Sequence, residues 1–119
     1  MSESAQFDVE NTRAQLRKGI VECCILLVIA EGEIYASDIL KELQKRDLMV
    51  VGGTVYPLLN RLKRAGLLDY TWRESLAGPP RKYYVLTKDG HAAITRLADT
   101  WKPFAKSISS LPTAYEKGH

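Results

Sequence analysis

"GPPRKYYVLTKDG", residues 78–90, decides how the chain is read, because a turn, a strand and a helix start follow one another within it. Gly78, Pro79 and Pro80 are turn residues. From Arg81 to Leu86 the stretch runs from two cations through two tyrosines to apolar residues, the pattern of a strand that begins in solvent and ends at a core. Thr87 then stands where a helix needs its N-terminal cap. Just upstream, "LLDYTW" (67–72) alternates Leu68, Tyr70 and Trp72 on one side, so a second strand is predicted, joined to the first by the loop "RESLAGPP" (73–80). The expected product is a hairpin with Arg81 and Lys82 near its tip.

Three helices are expected before the hairpin. Leu16, Ile20, Cys23, Cys24 and Leu27 follow helical spacing, and Ile25, Leu26, Val28 and Ile29 make the second half of that helix apolar on every side. "YASDILKELQKR" (35–46) gives a short second helix with Tyr35, Ile39, Leu40 and Leu43 inward. "DLMVVGG" turns the chain into "TVYPLLNRLKRAGLL" (54–68), where Val55, Leu58, Leu59 and Leu62 repeat at i, i+3, i+4 and i+7. Pro57 fits the first turn of this third helix if it begins at Gly53 or Thr54, because a first-turn N–H has no helical acceptor. Three short helices followed by a hairpin is the order of a winged helix-turn-helix, the hairpin being the wing. The fold class expected is mainly α with a small β-hairpin, extended by a long C-terminal helix. The division expected is a flexible segment at 1–12, the winged domain at 13–86, the helix at 87–111 and a flexible tail at 112–119.

With 119 residues, 45% hydrophobic and 26% charged, the chain is sized for one globular domain. Seventeen Lys and Arg against fourteen Asp and Glu leave +3, too small a surplus to name a polyanionic partner by itself. Its distribution says more: residues 53–66 carry Arg61, Lys63 and Arg64 and no acid. Ile20 to Ala30 is too short for a membrane span, and Met1 to Glu10 is polar and acidic, so a cytoplasmic protein without membrane contact is expected. Cys23 and Cys24 lie within the apolar helix and are expected as small core residues rather than a redox pair. His91 and His119 have no partners at ligand spacing, so no metal site is proposed and no cofactor is expected. Neither a nucleophile triad, nor a Gly-rich phosphate loop, nor paired inward carboxylates are found, which argues against an enzyme.

Four stretches in order, "LRKGIVECCILLVIAEGEIYASDIL", "TVYPLLNRLKRAGLL", "RKYYVLTKDG" and the C-terminal helix, resemble the PadR family of bacterial transcriptional regulators over roughly residues 14–111. The resemblance implies a homodimeric DNA-binding repressor whose third helix enters the major groove and whose C-terminal helix pairs with helix one. On that frame Tyr56, Asn60 and Arg61 are expected at base edges, and Thr54, Lys63, Arg64, Arg81 and Lys82 at phosphates, with Tyr35 and Ser37 as further phosphate contacts. A winged helix used only for protein contacts is the alternative.

In the C-terminal helix Ile94, Trp101 and Ile108 recur every seven residues, and Leu97, Phe104 and Leu111 do so three later. Such a stripe needs a partner, and with Leu16, Ile20 and Leu27 of helix one it forms the expected dimer surface. Pro103 predicts a kink in this helix. Some PadR-like regulators hold flat apolar molecules between paired aromatic residues at the dimer axis, and the resemblance offers Trp101 for that role with a planar aromatic effector, the alternative being that its indole simply packs the interface beside Pro103 and Phe104.

Overall fold

The structure, a computed structural model, describes residues 7–48 and 50–112. Helix α1 spans Val9–Ala30, and Asp8 caps it by accepting from the Asn11 amide at 3.0 Å. The helix therefore begins inside the segment expected to be flexible, whose residues 1–6 lie outside the described residues, as do 113–119 of the tail. Only its C-terminal half enters the core, through Val21, Ile25, Leu26 and Ile29. Gly32, at φ +148°, ends the helix and turns the chain into a two-residue strand, β1, Ile34–Tyr35.

Tyr35 is thus the residue before α2 (Ala36–Lys45) rather than part of its inner face, while Ile39 and Leu43 are buried as the spacing requires. Gln44 donates to the Val50 carbonyl at 3.1 Å across the turn, and Asp47 takes a left-handed φ of 58° within it. Helix α3, Gly52–Arg64, buries Val55, Leu58, Leu59 and Leu62. Pro57 is its sixth residue, beyond the first turn, because the helix starts at Gly52 rather than at 53 or 54. Its missing N–H leaves the Gly53 carbonyl without its usual i+4 donor.

Gly66, at φ +83°, turns the chain from α3 into β2, Leu68–Ser75. β3, Gly78–Leu86, returns antiparallel with Leu68 opposite Leu86, Tyr70 opposite Tyr84 and Trp72 opposite Lys82. The expected eight-residue loop is mostly strand: only Leu76 and Ala77 separate β2 from β3, and Glu74 is accommodated at an irregularity between Arg73 and Ser75. Arg81 and Lys82 consequently sit midway along the hairpin, not at its tip. β1 adds a third strand beside β3, in the order β1-β3-β2, with Ile34 opposite Tyr84 and Tyr35 opposite Tyr83.

Helix α4, Lys88–Ser110, starts after Thr87, where the sequence places its cap. Thr87 accepts from the Gly90 amide at 3.0 Å and donates its own hydroxyl to the Gly66 carbonyl at 2.6 Å, so one side chain caps the new helix and ties it to the end of α3. Gly90 is buried there, and a Cβ on it would lie 2.2 Å from the Leu67 carbonyl oxygen. Only glycine allows this approach without displacing backbone. α4 runs unbroken through Pro103, and the expected kink does not divide it.

Candidate nucleic-acid interface

Opposite its buried stripe, α3 presents Gly53, Pro57, Asn60 and Arg64 at i, i+4, i+7 and i+11, all exposed. The sequence reading used Gly53 and Pro57 only to place the helix start and not as part of this face, although the same periodicity that marks the inner face marks this line as the centre of the outer one. The flanks differ. Tyr56 and Lys63, seven apart, lie toward the hairpin, and the Lys63 ammonium stands 5.3 Å from the Tyr70 ring centre. Thr54 and Arg61 share the other flank, where Arg61 pairs with Glu22 of α1 at 2.8 Å. Arg61, expected at base edges, also has a partner on the scaffold, because the Glu22 carboxylate lies within reach of its guanidinium.

Between α3, the start of α2 and the hairpin lies a cleft of about 400 Å³. Tyr35 and Ser37 line one end, Tyr56 and Asn60 the α3 wall, and Trp72, Pro80, Arg81 and Lys82 the hairpin wall. Six of the ten residues expected to touch DNA therefore meet in one place, with Thr54, Arg61, Lys63 and Arg64 outside it. Aromatic rings position the cations. The Lys82 ammonium stands 4.3 Å from the Tyr70 ring centre, 5.4 Å from Trp72 and 5.9 Å from Tyr84. Arg81 lies 4.8 Å over Tyr35, whose ring in turn rests 5.7 Å from Tyr83. Cations held on ring faces keep their charge and lose side-chain freedom. Among the described residues neither Arg81 nor Lys82 has an acid at ion-pair distance.

Behind the hairpin, Arg73 donates to both carboxylate oxygens of Glu33, with Nε at 2.7 Å, and Thr71 donates to the same group at 3.2 Å. These hydrogen bonds, chiefly those from Arg73, hold the Glu33 carboxyl below its ordinary range. The pair links β2 to the segment entering β1.

A second depression, about 530 Å³, runs between α1 and α4 and is lined by Leu16, Ile20, Cys23, Cys24, Leu27, Leu97 and Trp101 with no charged side chain. Burial raises the pKa of both thiols, and both line the groove, Cys24 packing against the core as well. Five of the eight residues expected at a dimer surface gather here, and Phe104 and Ile108 extend the apolar line along α4 at 65% exposure each. Ile94, expected with them, packs against the chain's own core, because the first turns of α4 lie over β3 and α1. Among the described residues, no helix is long and apolar enough to cross a membrane, and no three His, Cys, Asp or Glu side chains converge as metal ligands would.

The sequence model of the Transcriptional regulator PadR-like family matches residues 25–96, from the apolar half of α1 to the first turns of α4. The chain belongs to the PadR-like family. Its members are transcriptional regulators, not enzymes, and the chain shares their winged fold. It is similar to the X-ray structure of a PadR-like transcription factor from Bacteroides fragilis, with 46% identity, a TM-score of 0.72 and coverage of 83% of this chain and 96% of that one. A PadR-like transcriptional regulator from Bacillus cereus is 32% identical with the same TM-score, over 80% of this chain and 93% of that one. "Transcriptional regulator Rv3488" of Mycobacterium tuberculosis is 32% identical over 94 residues, 79% of this chain and 87% of that protein. As in those PadR-like structures, the described residues form a small sheet and four helices, the last of them long.

Proposed function

We propose that this PadR-like regulator is a cytoplasmic, sequence-specific DNA-binding repressor, acting as a homodimer on an inverted-repeat operator and released by a planar aromatic ligand. The observation that carries the DNA reading is the cleft in which the α3 face, the start of α2 and two acid-free wing cations converge. In this reading Asn60, with Gly53 and Pro57 allowing close approach, faces the major groove, and Arg64 and Ser37 reach the flanking phosphates. Arg81 and Lys82 hold the strand that passes the wing.

The dimer reading rests on the exposed apolar line of α4 and the uncharged groove beside it. A second copy laid against α1 and α4 would bring two such grooves together around the two-fold axis and set the spacing of the half-sites, with centres one or more turns of about 34 Å apart. Trp101 lines this groove, so a flat apolar ligand stacked on it would alter how the two heads are held and lower operator affinity by linkage. A gel shift with the DNA upstream of its own gene, repeated over a range of salt, tests the function. Binding that weakens steeply with salt is expected, and Arg81→Ala with Lys82→Ala should flatten the log–log slope by up to about 2, each phosphate contact contributing about 0.9. Absence of binding at low salt would leave the winged helix as a protein-contact module.

A further inference from the structure

The largest exposed side chain in the cleft is one that phosphate and base contacts leave unused. Trp72 is 62% exposed, although it lies on the same side of β2 as buried Leu68. The indole is held in place: Tyr70 meets it edge-on at 6.1 Å and 85°, and the Lys82 ammonium directly across the ladder stands 5.4 Å from it. A fixed aromatic face beside Ser37, Asn60, Arg81 and Lys82 calls for an occupant that is anionic along its length and apolar between its charges. An acidic peptide supplies the charge but no regular flat surface at each step. A nucleic-acid strand supplies both, since each phosphate is followed by a deoxyribose with an apolar face.

We infer that Trp72 is a DNA-contact residue, packing its exposed indole on a deoxyribose of the strand that threads the cleft while Arg81 and Lys82 hold the phosphates on either side. The inference rests on the DNA-binding reading and names a contact that reading lacks. In an intact duplex the base faces are stacked on one another, so the sugar is what a wing residue meets, and the contact carries no base preference. Aromatic contact of this kind differs from a cation in its salt signature, because no counterion is released by it.

Trp72 and Trp101 are the chain's two tryptophans, so a Trp101→Phe chain reports on Trp72 alone. Titrated with a mixed-sequence duplex at low salt, its emission should change saturably and shift to the blue. Trp72→Ala in the otherwise unaltered chain should weaken binding roughly tenfold, on operator and non-operator DNA alike, with the salt slope unchanged. Trp72→Phe, which keeps a ring and the hairpin packing, should recover most of that loss. Unchanged affinity together with unchanged emission overturns the inference. So does a slope reduced by about 1 in Trp72→Ala, which would mean that the indole only positions Lys82. If the unaltered chain binds no duplex at low salt, the DNA-binding reading itself fails, an outcome distinct from normal binding that ignores Trp72.

Discussion

Arg61 and Asn60 are neighbours in sequence that the fold leaves in different surroundings. Both sit on the outer half of α3, and composition alone makes Arg61 the better candidate for reading a guanine. The bond to Glu22 weighs against that role, and the pairing was not legible because residues 22 and 61 are brought together only by the packing of α1 on α3. A pair this exposed is worth about 0 to 1 kcal/mol, so it biases where the guanidinium rests without fixing it. The expected outcome is that Asn60→Ala relaxes preference at a particular base pair by roughly 1 to 3 kcal/mol. Arg61→Ala should change affinity by less than about 1 kcal/mol and preference not at all. Competition binding against operators varied one base pair at a time would measure both, and a base-specific loss in Arg61→Ala would return that residue to the major groove. Gly90 shows the opposite case of legibility: its place after Thr87 was plain as part of a helix start, but its reason, the Leu67 carbonyl beneath it, belongs to tertiary packing.

The wing is the element where sequence and structure differ most. Pro79 and Pro80 signal a turn in any local reading, yet both lie in β3, on a stretch beyond the reach of β1, which pairs only with Tyr83 and Tyr84. Successive N–H positions face opposite edges, so one missing donor lies on the side that β1 leaves open and the other faces β2 beside the register irregularity between Arg73 and Ser75, and an open edge and a bulge are both places where a strand accommodates proline. β1 itself is two residues long, too short to leave a periodic trace, and exists because the Tyr83–Tyr84 edge is there to pair with. The helices were legible because their inner faces repeat over whole turns, and the inward residues of α3 are those the spacing marked. The Glu33–Arg73 clamp gives this element a pH dependence. Because the folded-state carboxyl is held below its ordinary pKa, its contribution is fully present above the unfolded value and is lost as pH falls through the lowered folded one. Amide exchange in β2 and β3 should therefore accelerate as pH is lowered past the usual Glu range, after correction for intrinsic rates. Glu33→Gln should show the faster exchange already at neutral pH and little further change. Equal acid response in both chains would mean that the clamp does not hold the wing.

At the scale of the whole molecule the chain is elongated, 58 Å by 29 Å by 27 Å, because α4 and the first half of α1 extend beyond the domain that buries their other ends. The heptad stripe was readable over its full length, but where it changes partner was not: Ile94 belongs to the core, and from Leu97 onward the same spacing faces outward. That division gives the dimer proposal a test in which unfolding and dissociation can be told apart. Leu97 and Phe104 lie past the last contact with the core, so an aspartate at either should leave the winged domain folded and put an unpaired charge into an apolar interface. Interface anchors of this kind commonly account for about 2 kcal/mol or more each, so each substitution should raise the dissociation constant roughly 30-fold. Ile94→Asp, by contrast, places the charge against the domain's own core and should lower the melting temperature whatever the oligomeric state. Sedimentation velocity at micromolar concentration, with circular dichroism melting of the same samples, separates the three. A dimeric parent, folded monomers for Leu97→Asp and Phe104→Asp, and a destabilised Ile94→Asp are expected. If the parent sediments as a monomer, the apolar line of α4 has some other partner and each half-site must be bound alone. If both outer variants remain dimeric, the two copies meet on a different surface, and the groove beside Trp101 is then open to solvent in the assembled protein.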